Sequence, residues 1–481
     1  MDGLTWDGLV SFSKPLLRYG GYVASVTTAR VLGTLITAAT FPFLVRRLGV
    51  DTYGLWSYVV AVCAFTGLVA NPGLTTYAAQ QVAARRQAAF ETISDVLTLR
   101  VLASGVAAIA VLVVASFEVR PDVRFLLKLY GIASVLTSAL SLDYLLSSLE
   151  LFHAQSFISI AQQSLYAAGI FTMVRSPKDV VWVPVSVLLS AFLTSLIGWA
   201  FLWRAGYRFR LAIAPRRWAV ILAPSLHYAG SSLMSTLYHR SGQIAVRWYL
   251  GEHALGLYAA AARLADVLRN FLSVTQTVLM PRMALRASSD GLPRLARLAA
   301  SVLVWFGVPL AVGGIVTAPV VVPWLLGAQF QQAVHVFQWV SLYMLTAPAA
   351  TLFAGTILYA MGRHRAYFVS TLTGAVTAVV LNLVLPPLFG VIGACVALVL
   401  GEFGVAFCAY LLSPPEVRAA AKTPLLSVSV IASLIMGMVL WFALPRHMSA
   451  PVLVGLGCAV YVIVWAAIGR KRLKTEFEGL V

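Results

Sequence analysis

The sequence predicts an all-α polytopic membrane protein with about fourteen transmembrane helices. Of its 481 residues, 60% are hydrophobic and only 11% are charged, and the mean hydropathy is +0.87. The apolar residues come in runs of about twenty, separated by short charged or Pro/Gly-rich breaks. A soluble protein of this length would not have such a composition.

The apolar runs define the predicted spans in order. They are 21–45, 53–72, 96–117, 125–147, 152–174, 180–203, 220–246, 254–280, 297–325, 333–360, 366–388, 391–412, 425–444 and 451–469. The ninth span holds Pro309, Pro319 and Pro323 and is expected to kink or end early. Lys14 and Arg18 precede a long apolar run without a cleavage site, so the first span is predicted to be an uncut helix.

A repeated motif links the two halves of the chain. LGVDTYGLW begins at Leu48, after the first span, and LGEHALGLY begins at Leu250, after the seventh. Both copies have the pattern L-G-x4-G-L-aromatic, at an offset of 202 residues. Glycines end many helices, which would explain one copy. This does not explain why two copies with matching positions follow equivalent spans, the first and the seventh.

The spans divide in the same way as the motif. Six fall in each half, which predicts two six-helix lobes related by a pseudo-two-fold axis along the membrane normal. Transporters built from such paired lobes bind their substrate between them. The predicted organisation is an N-terminal cytoplasmic segment 1–20, a first lobe 21–203, a basic cytoplasmic linker 204–219, a second lobe 220–412, a cytoplasmic linker 413–424, two extra transmembrane helices 425–469 and a basic cytoplasmic tail 470–481.

The net charge of +18 follows largely from this topology. If both termini are cytoplasmic, the inner loops and tails hold 21 Lys and Arg residues and the outer loops hold 8. An excess of basic residues in cytoplasmic loops sets the orientation of membrane proteins. We therefore predict cytoplasmic termini, and we expect no nucleic-acid partner.

The first predicted helix carries an arginine at membrane depth. Arg30 lies some ten residues inside the run, where an arginine costs ~2.5–3.5 kcal/mol on insertion scales. Thr34 and Thr37 share its helix face by their spacing. Threonines often bond within the membrane helix bundle, so these two alone are weak evidence for a site.

The seventh and eighth helices carry a similar polar stripe. His239 and Arg240 lie in the seventh, and Arg263, Asp266 and Arg269 follow at spacings of three in the eighth. His239 is as readily a packed, hydrogen-bonded residue as a ligand. Asp266 is expected to pair with both neighbouring arginines, which leaves one positive charge.

Two further acids lie deep in the predicted spans. Glu402 in the twelfth helix could neutralise any of the arginines, and Asp143 near the inner end of the fourth could be a snorkelling residue. The deep arginines still outnumber the deep acids, at Arg30, Arg240, Arg263 and Arg269 against Asp266 and Glu402. This surplus predicts a cavity for an anion, and the arginine fork suits phosphate.

These residues resemble the polysaccharide-transporter branch of the MOP (MATE-like) flippase superfamily, the Wzx or O-antigen flippase type. The resemblance covers nearly the whole chain and is strongest at Arg30 with FLVRRLGVDTYGLW (43–56), at NPGLTTYAAQQVA (71–83) and over 249–284. The GxYxxAxRL pattern of the second half is matched at Gly256, Tyr258, Ala261, Arg263 and Leu264.

The resemblance implies two lobes around a cationic cavity lined by the first, second, seventh and eighth helices. It implies export of a polyprenyl-diphosphate-linked sugar across a bacterial plasma membrane by alternating access, without a cofactor and with proton or sodium coupling left open. Arg30 and Arg263 would contact the diphosphate. The other predicted substrate-binding residues are Arg240, Arg269, Thr34, Thr37 and His239, and the candidate coupling residues are Asp266, Glu402 and Asp143. Polysaccharide-assembly proteins would be partners in the membrane.

Other functions fit the sequence less well. A peptidoglycan-precursor flippase is one alternative, because such proteins also carry two extra C-terminal helices. A cation-coupled multidrug exporter of the MATE branch should offer more deep acids. A membrane enzyme is not expected, because the outer loops are short and no nucleophile, metal or phosphate-loop motif is present. A transport-inactive scaffold would have little use for deep arginines.

Overall fold

The structure is a computed structural model that describes the backbone of residues 6–84, 89–149, 151–204, 206, 214–285, 291–422, 425–444 and 448–477. Within these ranges some side chains, among them Arg30 and His227, lie outside the description.

The described residues are almost entirely helical and include no β-strand. The helices are α1 Trp6–Ala70, α2 Leu74–Ala84, α3 Ala89–Ser116, α4 Pro121–Leu140, α5 Asp143–Ser148, α6 Phe152–Met173, α7 Trp182–Arg204, α8 Pro215–Leu285, α9 Gly291–Leu326, α10 Ala333–Ser341, α11 Tyr343–Ala350, α12 His364–Leu412, α13 Pro415–Ala420, α14 Leu425–Ala443 and α15 Ala450–Phe477. Short 3-10 segments occupy Pro177–Val181 and Ala328–Phe330, and a π-helix occupies Thr351–Leu358.

The helices confirm the predicted fold class. In the part of the chain that the structure describes, nine helical segments are long and apolar enough to cross a membrane. Each predicted span overlaps a helix, but several spans share one long helix, so the number fourteen stays a prediction. The chain is a multi-pass membrane protein.

Three long helices are each interrupted at one glycine. Gly49 in α1 has φ 74° and ψ 174°, and Gly251 in α8 has φ 85° and ψ −174°. Gly390 interrupts α12 at φ 60°. Positive φ is accessible to glycine without the Cβ clash that other residues meet. The two glycines of the repeated motif therefore make the same backbone turn, 202 residues apart.

Of the two outcomes expected from the prolines, a kink or an early end, the early end does not occur. α9 continues through Pro309, Pro319 and Pro323 to Leu326. Membrane helices tolerate internal proline because neighbouring helices and local adjustments satisfy the freed carbonyls. Here α9 packs along α10, α14 and α15, which surround it on several sides.

The first of two compact units contains residues up to Leu48 and from Cys63 to Ala229. In it, α3 packs on α4, α4 on α7, and α6 on α7. Leu145, Leu146 and Leu202 form part of its buried apolar core. Residues 49–62, which the sequence places in the first predicted lobe, do not belong to this unit.

The second unit contains residues 49–62 and everything from Gly230 onward. Its C-terminal part is a bundle in which α14 and α15 pack on each other and on α9. The Tyr461 hydroxyl donates to the Trp305 carbonyl at 2.8 Å, which satisfies a buried polar group inside the apolar cluster of these helices. The two extra predicted helices are thus packed parts of this unit.

Residues 49–56 and 251–258, here called the glycine crossing, meet inside the second unit. A Cβ atom at Gly54 would collide with the Glu252 carbonyl, and one at Gly256 would collide with the Val50 carbonyl. The contacts are reciprocal. Gly54 and Gly256 are equivalent positions of the repeat, and so are the residues that they face, Glu252 and Val50. Asp51 and His253, which are equivalent positions 202 residues apart, also contact each other at 2.8 Å.

An ion pair at the start of α8 ties it to α3 in the first unit. Arg217 Nε lies 3.0 Å from Asp95 Oδ2, and its Nη2 lies 3.2 Å from Oδ1. The Asp95 side chain is only 2% exposed, whereas Arg217 is 47% exposed. The fork contacts both carboxylate oxygens at once, a geometry that a lysine cannot reproduce.

We expect Arg217→Ala to lower the thermal stability of the purified protein. Removing a charged donor from a buried carboxylate costs on the order of 1–3 kcal/mol. Arg216→Ala is the matched control, because Arg216 is the exposed neighbour and forms no hydrogen bond or ion pair with residues that the structure describes. Equal melting temperatures for the two variants in detergent would contradict the prediction.

Candidate functional site

The predicted cationic residues of the seventh and eighth helices lie on α8 and in the second unit. Arg240 and His239 precede the Gly251 turn, and Arg263, Asp266 and Arg269 follow it. We call these five residues the cationic cluster. Counting histidine as neutral, the cluster carries three positive charges and one negative charge.

Arg263 is the most accessible member of the cluster. Its side chain is exposed, and it forms no hydrogen bond or ion pair with any residue that the structure describes. The pairing with Asp266 that its spacing predicts is therefore not formed. Arg263 and Arg240 both lie near enough to act electrostatically on the buried hydroxyl of Tyr53.

Asp266 lies instead beside Arg269, although the contact is loose. Arg269 Nε is 4.0 Å from Asp266 Oδ1, and the two side chains are 39% and 41% exposed. At this distance the pair is electrostatic without being a hydrogen bond. The hydroxyl of Tyr343, which is 2% exposed, is a further partner of Arg269.

Arg240 and His239 are held by neighbours that carry no charge. Arg240 Nη1 donates to Gln243 Oε1 at 3.2 Å. The His239 ring lies 3.9 Å from the ring of Tyr238, whose hydroxyl lies 3.3 Å from that of Tyr343. The charge of Arg240 is therefore not neutralised by its hydrogen-bond partner, which is a neutral amide.

Buried tyrosines stand behind the cluster. Tyr53, Tyr258 and Tyr343 are 6%, 2% and 2% exposed, and each lies near enough to the cluster to interact electrostatically with its charged groups. A phenol is a hydrogen-bond donor and acceptor with a largely apolar body. The arrangement combines partly exposed guanidinium groups with buried phenol groups, and this combination can hold a phosphate-like anion.

The predicted residues of the first helix fall in the first unit. Thr37 Oγ1 donates to Gln163 Oε1 at 3.3 Å, and Thr34 is half-buried and also has a partner. The side chain of Arg30 lies outside the described residues, so its part in a site stays a prediction. Asp143 lines a cavity in the first unit.

Glu402 is placed apart from the arginines of its own unit. It is 5% exposed on α12, and among the residues that the structure describes no basic side chain pairs with it. Glu402 thus forms no ion pair with Arg240, Arg263 or Arg269, and whether it neutralises Arg30, whose side chain lies outside the described residues, stays a prediction. A buried carboxyl group without a cation beside it is typical of a proton-carrying or ion-binding position in membrane proteins.

Sequence reasoning missed several residues of this neighbourhood. Gln243 lies one turn beyond Arg240, and its spacing of three could have identified it. Tyr53 lies within the repeated motif, but the pattern of the motif does not indicate that its hydroxyl lies near the cluster. Tyr343 is far away in sequence and belongs to no pattern, so only the packing of α11 reveals it.

A comparison with protein families bears directly on these residues. The sequence profile described as polysaccharide biosynthesis protein matches residues 22–285, more than half of the chain. The chain belongs to this family. The match covers α1 to α8 and thus includes the cationic cluster and both halves of the glycine crossing.

Solved structures of MOP-superfamily transporters share the fold of this family member. Lipid II flippase MurJ in an inward closed conformation is 13% identical, with a TM-score of 0.71 over 94% of this chain and 99% of that one. An inward-facing multidrug resistance MATE family transporter is 14% identical, with a TM-score of 0.64 over 82% and 96% of the two chains. A MOP superfamily transporter from Pyrococcus furiosus, described as having a reversed binding-pocket polarity, is 14% identical, with a TM-score of 0.58 over 84% and 96%. These neighbours are transporters and not enzymes. A search of curated proteins gives no match.

Proposed function

We propose that this protein flips a polyprenyl-diphosphate-linked oligosaccharide across a bacterial plasma membrane. The observation that carries the proposal is the cationic cluster, and above all Arg263, an exposed guanidinium that forms no hydrogen bond or ion pair with the described residues. An unpaired charge at membrane depth is costly and usually marks a substrate path. Membership of the polysaccharide biosynthesis family supports a glycan-bearing cargo.

The charge of the substrate explains the need for arginines. A diphosphate cannot enter hydrocarbon without losing its hydration, which costs many kcal/mol unless other groups replace the water. Guanidinium forks replace it with paired hydrogen bonds, and the lipid tail can remain in the bilayer meanwhile. We assign Arg240, Arg263 and Arg269 to the diphosphate, together with Arg30 on sequence grounds.

The remaining predicted residues complete the proposed path. Thr34, Thr37 and His239 would add hydrogen bonds to the headgroup. Inner-membrane localisation, cytoplasmic termini and partnership with polysaccharide-assembly proteins belong to the same proposal. They are supported by the basic-residue bias of the predicted loops and by the family.

Mass spectrometry of polyprenyl-linked lipids tests the proposal. The native host would be compared with a strain lacking this gene and with that strain complemented by the wild-type protein. We expect one lipid-diphosphate oligosaccharide to accumulate in the deletion strain and to return to normal on complementation. An unchanged lipid pool, in a strain without a second flippase of this type, would refute the proposal.

A second candidate cargo is a peptidoglycan precursor lipid. It is favoured by one observation: Lipid II flippase MurJ matches 94% of this chain, whereas the MATE structure matches 82%. The same lipid analysis separates the two cargoes by the mass of the accumulated headgroup. A drug-exporting function is less favoured, because the described part of the cationic cluster holds three arginines and one acid.

The energy source is a further part of the proposal. Asp143, Asp266 and Glu402 are the candidate coupling residues, for protons or sodium. Glu402 is the most buried of the three and has no basic partner among the described residues. Buried carboxyl groups serve as proton relays in membrane transporters.

We expect Glu402→Gln to uncouple transport from an imposed pH gradient while the protein stays folded. Glutamine keeps the size of the side chain but cannot exchange a proton. The measurement is flipping of lipid-linked oligosaccharide in proteoliposomes with and without a pH gradient. Glu416→Gln, an exposed position on α13, serves as control. A gradient response in Glu402→Gln equal to that of the control would contradict the role.

A further inference from the structure

A polar cavity lies wholly within the first unit, apart from any residue of the cationic cluster. Its volume is about 440 Å³, which is within the ~300–1,000 Å³ range of small-molecule sites. It is lined from the loop after α1 and from α2 to α7, and by polar side chains for the most part. A cavity of this size with a mostly polar lining is a candidate ligand site.

Arg100 is the buried cation of this cavity. It is 2% exposed, and its Nη1 donates to the Ser141 carbonyl at 2.9 Å while its Nη2 donates to the Ser138 carbonyl. These carbonyls lie at the C-terminal end of α4, where the last turn of a helix lacks backbone donors. The guanidinium carbon also lies 4.7 Å from the centre of the Tyr144 ring. The side chain is therefore fixed in position.

Two hydrogen-bonding atoms of the lining are left over. Arg100 Nε is buried, and no acceptor within the described part of the chain accepts its proton. The same is true of Thr137 Oγ1, which has neither donor nor acceptor among the described residues. Buried polar atoms without partners are rare, and a bound water or ligand would satisfy these two.

The charges of the cavity limit what can bind there. Asp143 lines the same cavity but forms no ion pair with Arg100 in the structure as described. Two of the guanidinium N–H groups of Arg100 already donate to carbonyls and hold it in place, while Nε–H has no acceptor among the described residues and can donate to a ligand. A small anion in the cavity would be repelled by Asp143, and a small cation would be repelled by Arg100. A neutral ligand avoids both repulsions.

The uncharged lining adds hydroxyl and amide groups. Gln162 on α6 makes no side-chain hydrogen bond to residues within the description, and Thr194 and Ser195 line the wall on α7. A ligand with many hydroxyl groups can donate to the carboxylate and amide oxygens and accept from Arg100 Nε and the amide nitrogen. From this geometry we propose that the cavity binds a neutral saccharide. The inference rests on the proposed function in that the saccharide would be part of the transported headgroup.

The test uses the full-length protein in detergent and three free saccharides as probes: N-acetyl-D-glucosamine, D-galactose and D-mannose. Thermal stability is measured with each probe at about 50 mM, because single sugars are expected to bind weakly, with dissociation constants on the order of millimolar. Sodium phosphate and sodium chloride at matched ionic strength represent the anion and the cation. We expect at least one saccharide, and neither salt, to raise the melting temperature.

Two variants localise the effect. Thr137→Val removes a hydroxyl group that has no partner in the described structure, so it should not lower stability without ligand. Gln162→Leu removes the amide. We expect each to weaken saccharide binding about five- to tenfold, the loss of one hydrogen bond. Thr172→Val is the matched control, because Thr172 is exposed on α6 and bonds only within its own helix.

The outcomes separate the two proposals. A saccharide-dependent shift in wild type and Thr172→Val, reduced in the two cavity variants, supports the site. An equal shift in all variants, a shift with a salt alone, or no shift with any saccharide overturns it. If one of these overturning results is obtained but the protein still flips lipid-linked oligosaccharide in proteoliposomes, the saccharide site is refuted and the proposed flippase function is not. If the saccharide binds but no lipid is flipped, the site is supported and the flippase function is refuted.

Discussion

Arg263→Ala is expected to abolish transport while the protein remains folded and abundant in the membrane. The exposed guanidinium makes no hydrogen bond or ion pair with residues that the structure describes, so its removal leaves no protein group unsatisfied. A hydrogen bond to a charged group contributes about 1.5–3 kcal/mol, which corresponds to a roughly 10- to 150-fold loss of substrate affinity. Arg263→Lys should recover little, because an ammonium cannot form the paired contact.

The measurement is lipid flipping in proteoliposomes at equal protein amounts. Arg365→Ala is the matched control, because Arg365 is exposed near the start of α12 and likewise forms no bond to a described residue. Sequence alone predicts the same loss for Arg30→Ala. Normal flipping by Arg263→Ala, at normal abundance, would remove this residue from the diphosphate site.

Gly256→Ala is expected to cause a large loss of stability for a change that adds a single methyl group. The new Cβ would overlap the Val50 carbonyl oxygen, a backbone atom that cannot rotate away as a flexible side chain can. Overpacking in a well-packed interior costs about 1–3 kcal/mol, and here the two helical segments of the glycine crossing would have to separate. Gly54→Ala should behave alike, because it meets the Glu252 carbonyl in the equivalent way.

Melting temperatures in detergent, followed by tryptophan fluorescence, would measure the effect. The control is Gly455→Ala in α15, where an added Cβ meets nothing within 4 Å. That change should leave stability equal or slightly higher, since alanine has the better helix propensity. If Gly256→Ala melts at the temperature of Gly455→Ala, the close approach at the glycine crossing does not exist in solution.

The sequence predicted the helices well, because long apolar runs have no other stable form in a membrane. It also predicted the turns at Gly49 and Gly251 from the repeated motif. It did not predict that the two copies of the motif contact each other, because a repeat reveals equivalence and not proximity. It left open whether α9 kinks or ends at its prolines, because proline signals describe the backbone and not the neighbouring helices that allow α9 to continue.

The site was predicted only in part, for a similar reason. The spacing of Arg263, Asp266 and Arg269 indicated a shared face, yet the structure brings Asp266 near Arg269 alone. Side-chain direction decides such pairs, and spacing does not fix it. The polar cavity went unseen, because Arg100 bonds to carbonyls 38 and 41 residues away at a helix end. Every residue has a backbone carbonyl, so no sequence pattern indicates which carbonyl groups will accept hydrogen bonds from Arg100.

The membership of residues 49–62 in the second unit has a consequence for biosynthesis. This segment leaves the ribosome long before its partner at 251–258, and the two are separated by 202 residues. At ~5–20 residues per second, the delay is about 10–40 s. During this interval the glycine crossing cannot form, because residues 251–258 have not yet been synthesised. Residues 49–62 therefore gain these contacts only after much of the second half of the chain has been made.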